Sequence, residues 1–411
     1  MTTLKDVNTY YCNVNTNKKL SYGPYFYTDK NTQKKIAILG TKEGEIIKIP
    51  LVFSKIKEYR KEYEIIRIKE KNIINLKDLF LDQEVSSSII GYYNNNKKNY
   101  EIIILNNGTI YKTKTEKQKI QKKEIYNFED SFNSTKEFFE YKGKTYFFIT
   151  TKNGYVLLLN ENGKEIIKFN LNTKIYSEPK YEEKKSLLLV GGKNGILYSF
   201  KINIEKKTIQ KLWEFKTEKE IVTKPVIKKI IEEKEVILIG STDKKFYCLN
   251  LEGEKIWEFK TEGKIISEAY VEDINNDEKK EIIFGSSDDK IYVLNAYGNE
   301  IWDYETDFWI ATKPIVLDVD DDSYKEVFVG SYDNKLYCFS PDPEFIPNFF
   351  SGTTGIIQQT TIEEENGYFA KLLFKKEVEG MIIGMNIIEE EKILGIITHK
   401  GEFISFKFEK K

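Results

Sequence analysis

GSTDKKFYCLNLEGEKIWEF (residues 240–259) is followed by GSSDDKIYVLNAYGNEIWDY (285–304) and GSYDNKLYCFS (330–340). The glycines that open the three copies, Gly240, Gly285 and Gly330, are evenly spaced. A fixed repeat of this size with several apolar runs per copy marks a repeat architecture. Short strands, tight turns and one recurring Trp per unit read as the blade of a propeller. In the middle copy, 266–274, 281–287, 290–295 and 300–306 are each short, apolar or alternating, and bounded by Gly, Asn or Asp. That is the pattern of four antiparallel strands joined by turns.

The same central hairpin recurs at 34–49, 100–113, 145–160, 186–200 and 392–408, so eight hairpins are counted. The last copy lacks a fourth strand, and the first is preceded by a spare one, YYCNVNT (10–16). The expectation is an all-β chain, 1–411, forming a single eight-bladed β-propeller. Its N-terminal strand completes the last blade and pairs an otherwise open edge. Seven blades, with the long stretch between Gly40 and Leu105 irregular, is the alternative. Ser177-Glu178-Pro179, Thr223-Lys224-Pro225, Ser267-Glu268-Ala269 and Thr312-Lys313-Pro314 read as the start of each innermost strand, where crowding on the axis favours small residues.

Lys and Arg (64) balance Asp and Glu (65), so no global charge draws the chain to nucleic acid or to an anionic membrane. No apolar run is long enough to span a bilayer. With no secretory leader at the N-terminus and three scattered cysteines, a cytoplasmic location is expected. Cys248 and Cys338 fall at one strand position and read as small buried hydrophobes. Trp213, Trp257 and Trp302 recur at one outer-strand position and read as packing between blades with the indole N–H satisfied.

Two turns carry chemistry. Asp273, Asn275, Asp277 and Glu281 in one, and Asp318, Asp320, Asp322 and Glu326 in the other, offer oxygens at the alternate spacing that curls ligands around Ca²⁺. Such loops usually place Gly at the sixth position, where this chain has Glu278 and Ser323; an acidic turn that caps its own backbone is the competing reading. Residues 341–368 interrupt the seventh blade as a long loop, and its Phe345, Ile346, Phe349 and Phe350 are apolar enough to dock a partner or to cover the rim. Phe308 and Trp309 stand where Ile265-Ile266 and Ile221-Val222 are expected in other blades, and form a second candidate anchor. His399, the single histidine, falls in a hairpin turn and reads as solvent-exposed.

The run SxPxxxDxDxDxxxEVxVGSxDxxLYxxxxxGxxxW, strongest over 175–341, resembles the propeller repeats of the pyrroloquinoline-quinone-like superfamily, with FG-GAP-like acidic turns. The resemblance implies eight blades docked through Trp. It spans quinone-dependent dehydrogenases, an outer-membrane assembly lipoprotein and binding scaffolds. The adjacent cysteine pair that covers the quinone in those dehydrogenases has no counterpart here. A non-enzymatic scaffold for an unidentified protein partner is therefore the leading expectation. It requires no cofactor, with Ca²⁺ the one candidate ion. A ligand sensor or enzyme using the central channel, lined by Lys224 and Lys313 or by the acids near Asp318, is the first alternative. A Ca²⁺-dependent integrin-like module is the second.

Overall fold

The computed structural model describes residues 7–29, 33–55, 73–75, 89–95, 100–116, 119–341, 361–363 and 369–410. They form eight antiparallel sheets, the blades of an eight-bladed propeller. The first holds Leu20–Thr28, Lys35–Thr41, Glu45–Pro50 and Ile73–Asn75. The second holds Ile89–Asn95, Tyr100–Leu105, Thr109–Glu116 and Lys119–Asn127; the third, Phe132–Tyr141, Lys144–Thr151, Tyr155–Asn160 and Glu165–Asn170. The fourth holds Lys180–Glu182, Leu187–Gly191, Ile196–Asn203 and Thr208–Lys216; the fifth, Val226–Ile231, Lys234–Gly240, Lys245–Leu249 and Lys255–Lys260. The sixth holds Tyr270–Glu272, Glu281–Gly285, Lys290–Leu294 and Glu300–Glu305. The seventh holds Ile315–Leu317, Glu326–Gly330, Lys335–Ser340 and Phe369–Glu377, the last also paired with Thr361–Glu363.

The eighth blade closes the molecule as the leftover strands required. Ile382–Ile388, Ile393–Thr398 and Glu402–Lys410 come from the end of the chain, and Val7–Asn15 from its beginning. The register runs unbroken from Val7 opposite Lys410 to Asn15 opposite Glu402. Val7, Cys12 and Val14 are buried, and Tyr11 meets Phe406 at 5.5 Å between ring centroids. Ser54–Lys55 then pairs along the far side of the N-terminal strand.

Contacts between blades explain the repeat letter by letter. In the fourth to seventh blades the glycine ending the second strand lies against an isoleucine at the entry to the next blade. A Cβ on Gly191, Gly240, Gly285 or Gly330 would come within 2.5, 2.3, 2.1 and 2.6 Å of Ile221, Ile265, Ile310 and Ile382 in turn, all four fully buried. Nothing larger than hydrogen fits at that distance. The following Asp fastens the linker. Asp243 accepts from Glu218 N (3.0 Å), Asp288 from Glu262 N and Gly263 N (both 2.9 Å), and Asp333 from Asp307 N (3.2 Å). The Tyr four residues on donates to the same carboxylate, from Tyr247 at 2.7 Å and Tyr292 at 2.9 Å. Trp213 and Trp257 lie on the turn of the following blade, donating to Leu251 O (2.9 Å) and Ala296 O (3.1 Å) with Gly253 and Gly298 against their rings. Trp302 is buried against Phe339.

The small residues near the axis correct one expectation. In the fourth, sixth and seventh blades the inner strand is only three residues long, and Ser177, Thr223 and Thr312 lie before their strands rather than in them. Their hydroxyls donate to the carbonyls of Gly191 (2.8 Å), Gly240 (2.9 Å) and Gly330 (2.7 Å). Pro179, Pro225 and Pro314 follow two residues later and bring no N–H to pair. A side-chain hydroxyl thus replaces ladder bonds that the chain cannot make there.

Candidate functional site

In a four-stranded meander the linkers between blades and the turns joining second to third strands share one face. The remaining turns lie on the other. The acidic turns join first to second strands in the sixth and seventh blades, so they belong to that other face.

In the seventh blade Asp318, Asp320 and Asp322 each bring a carboxylate oxygen within 4.8 Å of the others. Asp318 accepts from Asp321 N (2.7 Å) and Ser323 N (3.3 Å), and Asp322 from Tyr324 N (2.8 Å). One oxygen of Asp320 is shut off from solvent without a hydrogen-bond partner. Burial, then the charges of Asp322 and Asp318, push its carboxyl up to about 7. In the sixth blade Glu278 N donates to Asp273 (3.0 Å), Asp277 N to Asn275 (3.3 Å), and Lys279 N to Asp277 (2.8 Å); Asp273 also has a buried oxygen without a partner. Glu281 and Glu326 sit beneath these turns, accepting from Ile274 N (3.0 Å) and Val319 N (3.1 Å). Burial pushes Glu281 up to about 8 and Glu326 well above the usual carboxylate range. The sharp bend is made without glycine, by Glu278 at φ +64° and Ser323 at φ +76°. Lys325 N donates to Ile274 O (2.9 Å) and so ties the two turns together across the blade boundary.

The axial lysines are paired. Glu137 of the third blade receives Lys180 and Lys224 on its two oxygens, each at 2.8 Å, with Glu178 a further 3.5 Å partner of Lys224. Burial alone lowers the Lys224 ammonium, but Glu178, Glu137 and Glu268 outweigh it and hold the group above its ordinary value. Lys313 pairs with Glu268 at 2.6 Å and lies over the Tyr270 ring. These pairs join the inner edges of neighbouring blades, and the bond from Lys224 to Glu137 reaches from the fifth blade past the fourth to the third.

Phe308 and Trp309 are exposed, 45% and 43%, with rings stacked at 5.4 Å and 17°. Their assigned place in the repeat needs correcting. The hydroxyls of Thr217, Thr261 and Thr306 donate to the carbonyls of Lys219, Gly263 and Phe308, fixing the alignment of the linkers. Phe308-Trp309 therefore occupies the position of Lys219-Glu220 and Gly263-Lys264, whereas the aliphatic residue equivalent to Ile221 and Ile265 is Ile310. The same face carries His399, which is half-buried rather than exposed: its backbone N–H donates to Met381 O (3.0 Å), and its ring lies against Gly380. Phe345, Ile346, Phe349 and Phe350 lie outside the described residues, as do 342–360 and 364–368 of the insertion. Cys248 and Cys338 are fully buried, and burial pushes the Cys248 thiol up to about 12.

Residues 248–368 match the family model of the lambda-carrageenase beta-propeller domain, which is less than half of the chain. No curated protein sequence matches. Among solved structures the chain is similar to BamB from Moraxella catarrhalis, at 10% identity and a TM-score of 0.40 over 66% of this chain and 96% of that one. Among the described residues no helix is long and apolar enough to cross a membrane.

Proposed function

We propose that this chain is a non-enzymatic propeller that binds a protein partner through the linker face around Phe308 and Trp309. The observation that supports it most is the exposure of two adjacent, mutually stacked aromatic rings at a position that is polar or glycine in the neighbouring linkers. Large rigid rings of this kind anchor interfaces at low entropic cost. The charged groups near the axis favour binding over catalysis, since Lys224 and Lys313 are held in ion pairs between blades and offer no free amine. Affinity capture from native extract with the wild type and with Phe308→Ala/Trp309→Ala tests the reading. A partner retained by the wild type and lost by the double variant is expected; an unchanged or empty set of partners overturns it.

A second reading concerns the opposite face. We propose that the Asp318, Asp320 and Asp322 turn binds Ca²⁺ as a structural ion, supported by the buried Asp320 oxygen that has no partner. Glu326 braces the turn from below through Val319 N. Asp273, Asn275 and Asp277 of the sixth blade, with Glu281 below them, form the weaker candidate. Calorimetry with Ca²⁺ should give a saturable heat that Asp320→Ala removes. No heat from the wild type would end this reading and leave the turns as self-capped loops.

A further inference from the structure

The corner around Phe308 and Trp309 differs from its counterparts in charge as well as in aromaticity. Thr261 and Thr306 make the same pair of bonds in successive linkers, to Lys244 O and Gly263 O in one and to Asp289 O and Phe308 O in the other. Strand register sets Lys260 opposite Lys245 and Glu305 opposite Lys290. Position by position, then, Lys244, Lys260, Gly263 and Lys264 of one corner become Asp289, Glu305, Phe308 and Trp309 of the next. Three cations are replaced by two carboxylates and an indole.

The two carboxylates are also the unpaired ones. Asp288 and Asp333 are committed to linker N–H groups and tyrosines. Asp303 pairs with Lys290, and Asp307 with Lys335. Among the described residues Glu305 is exposed with no ion pair, and one Asp289 oxygen is closed off without a hydrogen-bond partner. Asp289 sits close enough to Asp288, Glu305 and Asp333 that their charges add to its desolvation in pushing its carboxyl up. The two cations of this corner, Lys290 and Lys335, are taken by Asp303 and Asp307, which leaves Asp289 and Glu305 without one. An aromatic face beside unpaired carboxylates is chemistry that holds a guanidinium or ammonium, the ring through its quadrupole and the acids through charge.

We infer that the junction of the sixth and seventh blades, formed by Asp289, Glu305, Phe308 and Trp309, is a docking site for a lysine or arginine side chain on an extended segment of a partner protein. The inference rests on the protein-binding reading above and adds the chemistry of the partner. Phosphorylated or strongly acidic segments are excluded from the corner by the same two carboxylates.

The test uses the full chain and a Gly/Ser-rich peptide carrying spaced lysines, with arginine, glutamate and uncharged versions beside it, at physiological ionic strength. Binding is followed by calorimetry and by indole fluorescence. The lysine and arginine peptides should bind, and the glutamate and uncharged ones should not. Asp289→Lys/Glu305→Lys, which copies the fifth blade, should weaken binding at least about tenfold. Phe308→Thr/Trp309→Lys, which copies Thr173 and Lys174 of an earlier linker, should do the same. All four residues introduced already stand at equivalent places in this chain, so the fold tolerates them. Absence of binding to the wild type, or equal binding to the charge-swapped variant, overturns the inference. A neutral oligosaccharide that binds the wild type and the charge-swapped variant alike would overturn it too, assigning the rings to sugar. If the partner found by affinity capture is lost with Phe308→Ala/Trp309→Ala but kept with Asp289→Lys/Glu305→Lys, the protein-binding reading stands and this one falls.

Discussion

The fifth and sixth blades are built on one skeleton and finished differently. Gly240 and Gly285 receive Ile265 and Ile310, and Asp243 and Asp288 hold the linkers that enter their blades. Thr261 and Thr306 close the linkers that leave. Against that constancy, the corner changes from Lys244, Lys260 and Lys264 to Asp289, Glu305 and Trp309. The turn between first and second strands changes from the two-residue Glu232-Glu233 to the acidic loop over Glu281. What is shared makes contacts between blades. What differs faces solvent or sits beneath one loop. The repeat is therefore a record of docking, and departures from it are where a specific role is to be sought.

The largest test of the shared part is Gly285→Val. Its Cβ would press on Ile310 at 2.1 Å and on the Ile310 carbonyl at 2.7 Å, so the linker must move. We expect a loss of about 3 kcal/mol, read as a lowered denaturant midpoint, with Gly240→Val close behind. Tolerance of either would break the claim that the glycine is set by the next blade. Asp288→Ala should cost about 2 kcal/mol, since it leaves Glu262 N and Gly263 N without their acceptor and strands the Tyr292 hydroxyl. Asp243→Ala should cost less, because Asp243 receives one linker N–H where Asp288 receives two.

The acidic loop sharpens the comparison through pH. Glu281 has its carboxyl pushed up to about 8 from an ordinary 4.5, and the fifth blade has no such group beneath its turn. Between those two values the folded chain keeps a proton that the unfolded chain has lost. The contribution of Glu281 to stability is therefore greatest below about 4.5, falls as pH rises through the window, and levels off above 8. Glu281→Gln keeps an acceptor for Ile274 N and removes the ionisation. It should raise stability at pH 8 and flatten this part of the profile. Melting temperatures of both proteins across pH 5–9 decide it, and parallel curves would show that Glu281 is not the group responsible.

The skeleton was legible because its contacts recur along the chain: Gly285, Asp288 and Tyr292 each have the same partner type one repeat away. Closure was legible because Val7–Asn15 was a strand left over and Glu402–Lys410 a strand left open. The place of Phe308 was not. The hydroxyl bonds of Thr217, Thr261 and Thr306 set the linker alignment, and a string of letters does not display them; read by apolar character alone, Phe308-Trp309 slid onto the isoleucines. The pairing of the axial lysines was not legible for a related reason, since Glu137 lies far from Lys224 in sequence and in a different blade. Likewise the Asp spacing proposed ligands, but only three-dimensional burial singled out Asp320 and placed Glu326 under the loop.

The smallest expected effect separates the two kinds of turn. Glu232 and Glu233 join two strands of the fifth blade at φ +45° and +61°, the geometry of a type I′ turn that favours Asn-Gly. Ser323 bends the seventh-blade loop at φ +76°. Each pays the crowding of Cβ against the backbone that glycine avoids. Glycine restores some unfolded-state freedom in exchange, so Glu233→Gly and Ser323→Gly should each gain about 0.5–1 kcal/mol. If the Asp318 loop only caps itself, the two gains will be alike and indifferent to Ca²⁺. If the loop closes around the ion, Ser323→Gly should also tighten Ca²⁺ binding, because the bend that aims Asp318, Asp320 and Asp322 is then held without strain. Glu233→Gly should leave it unchanged, and calorimetry on the two variants distinguishes these outcomes.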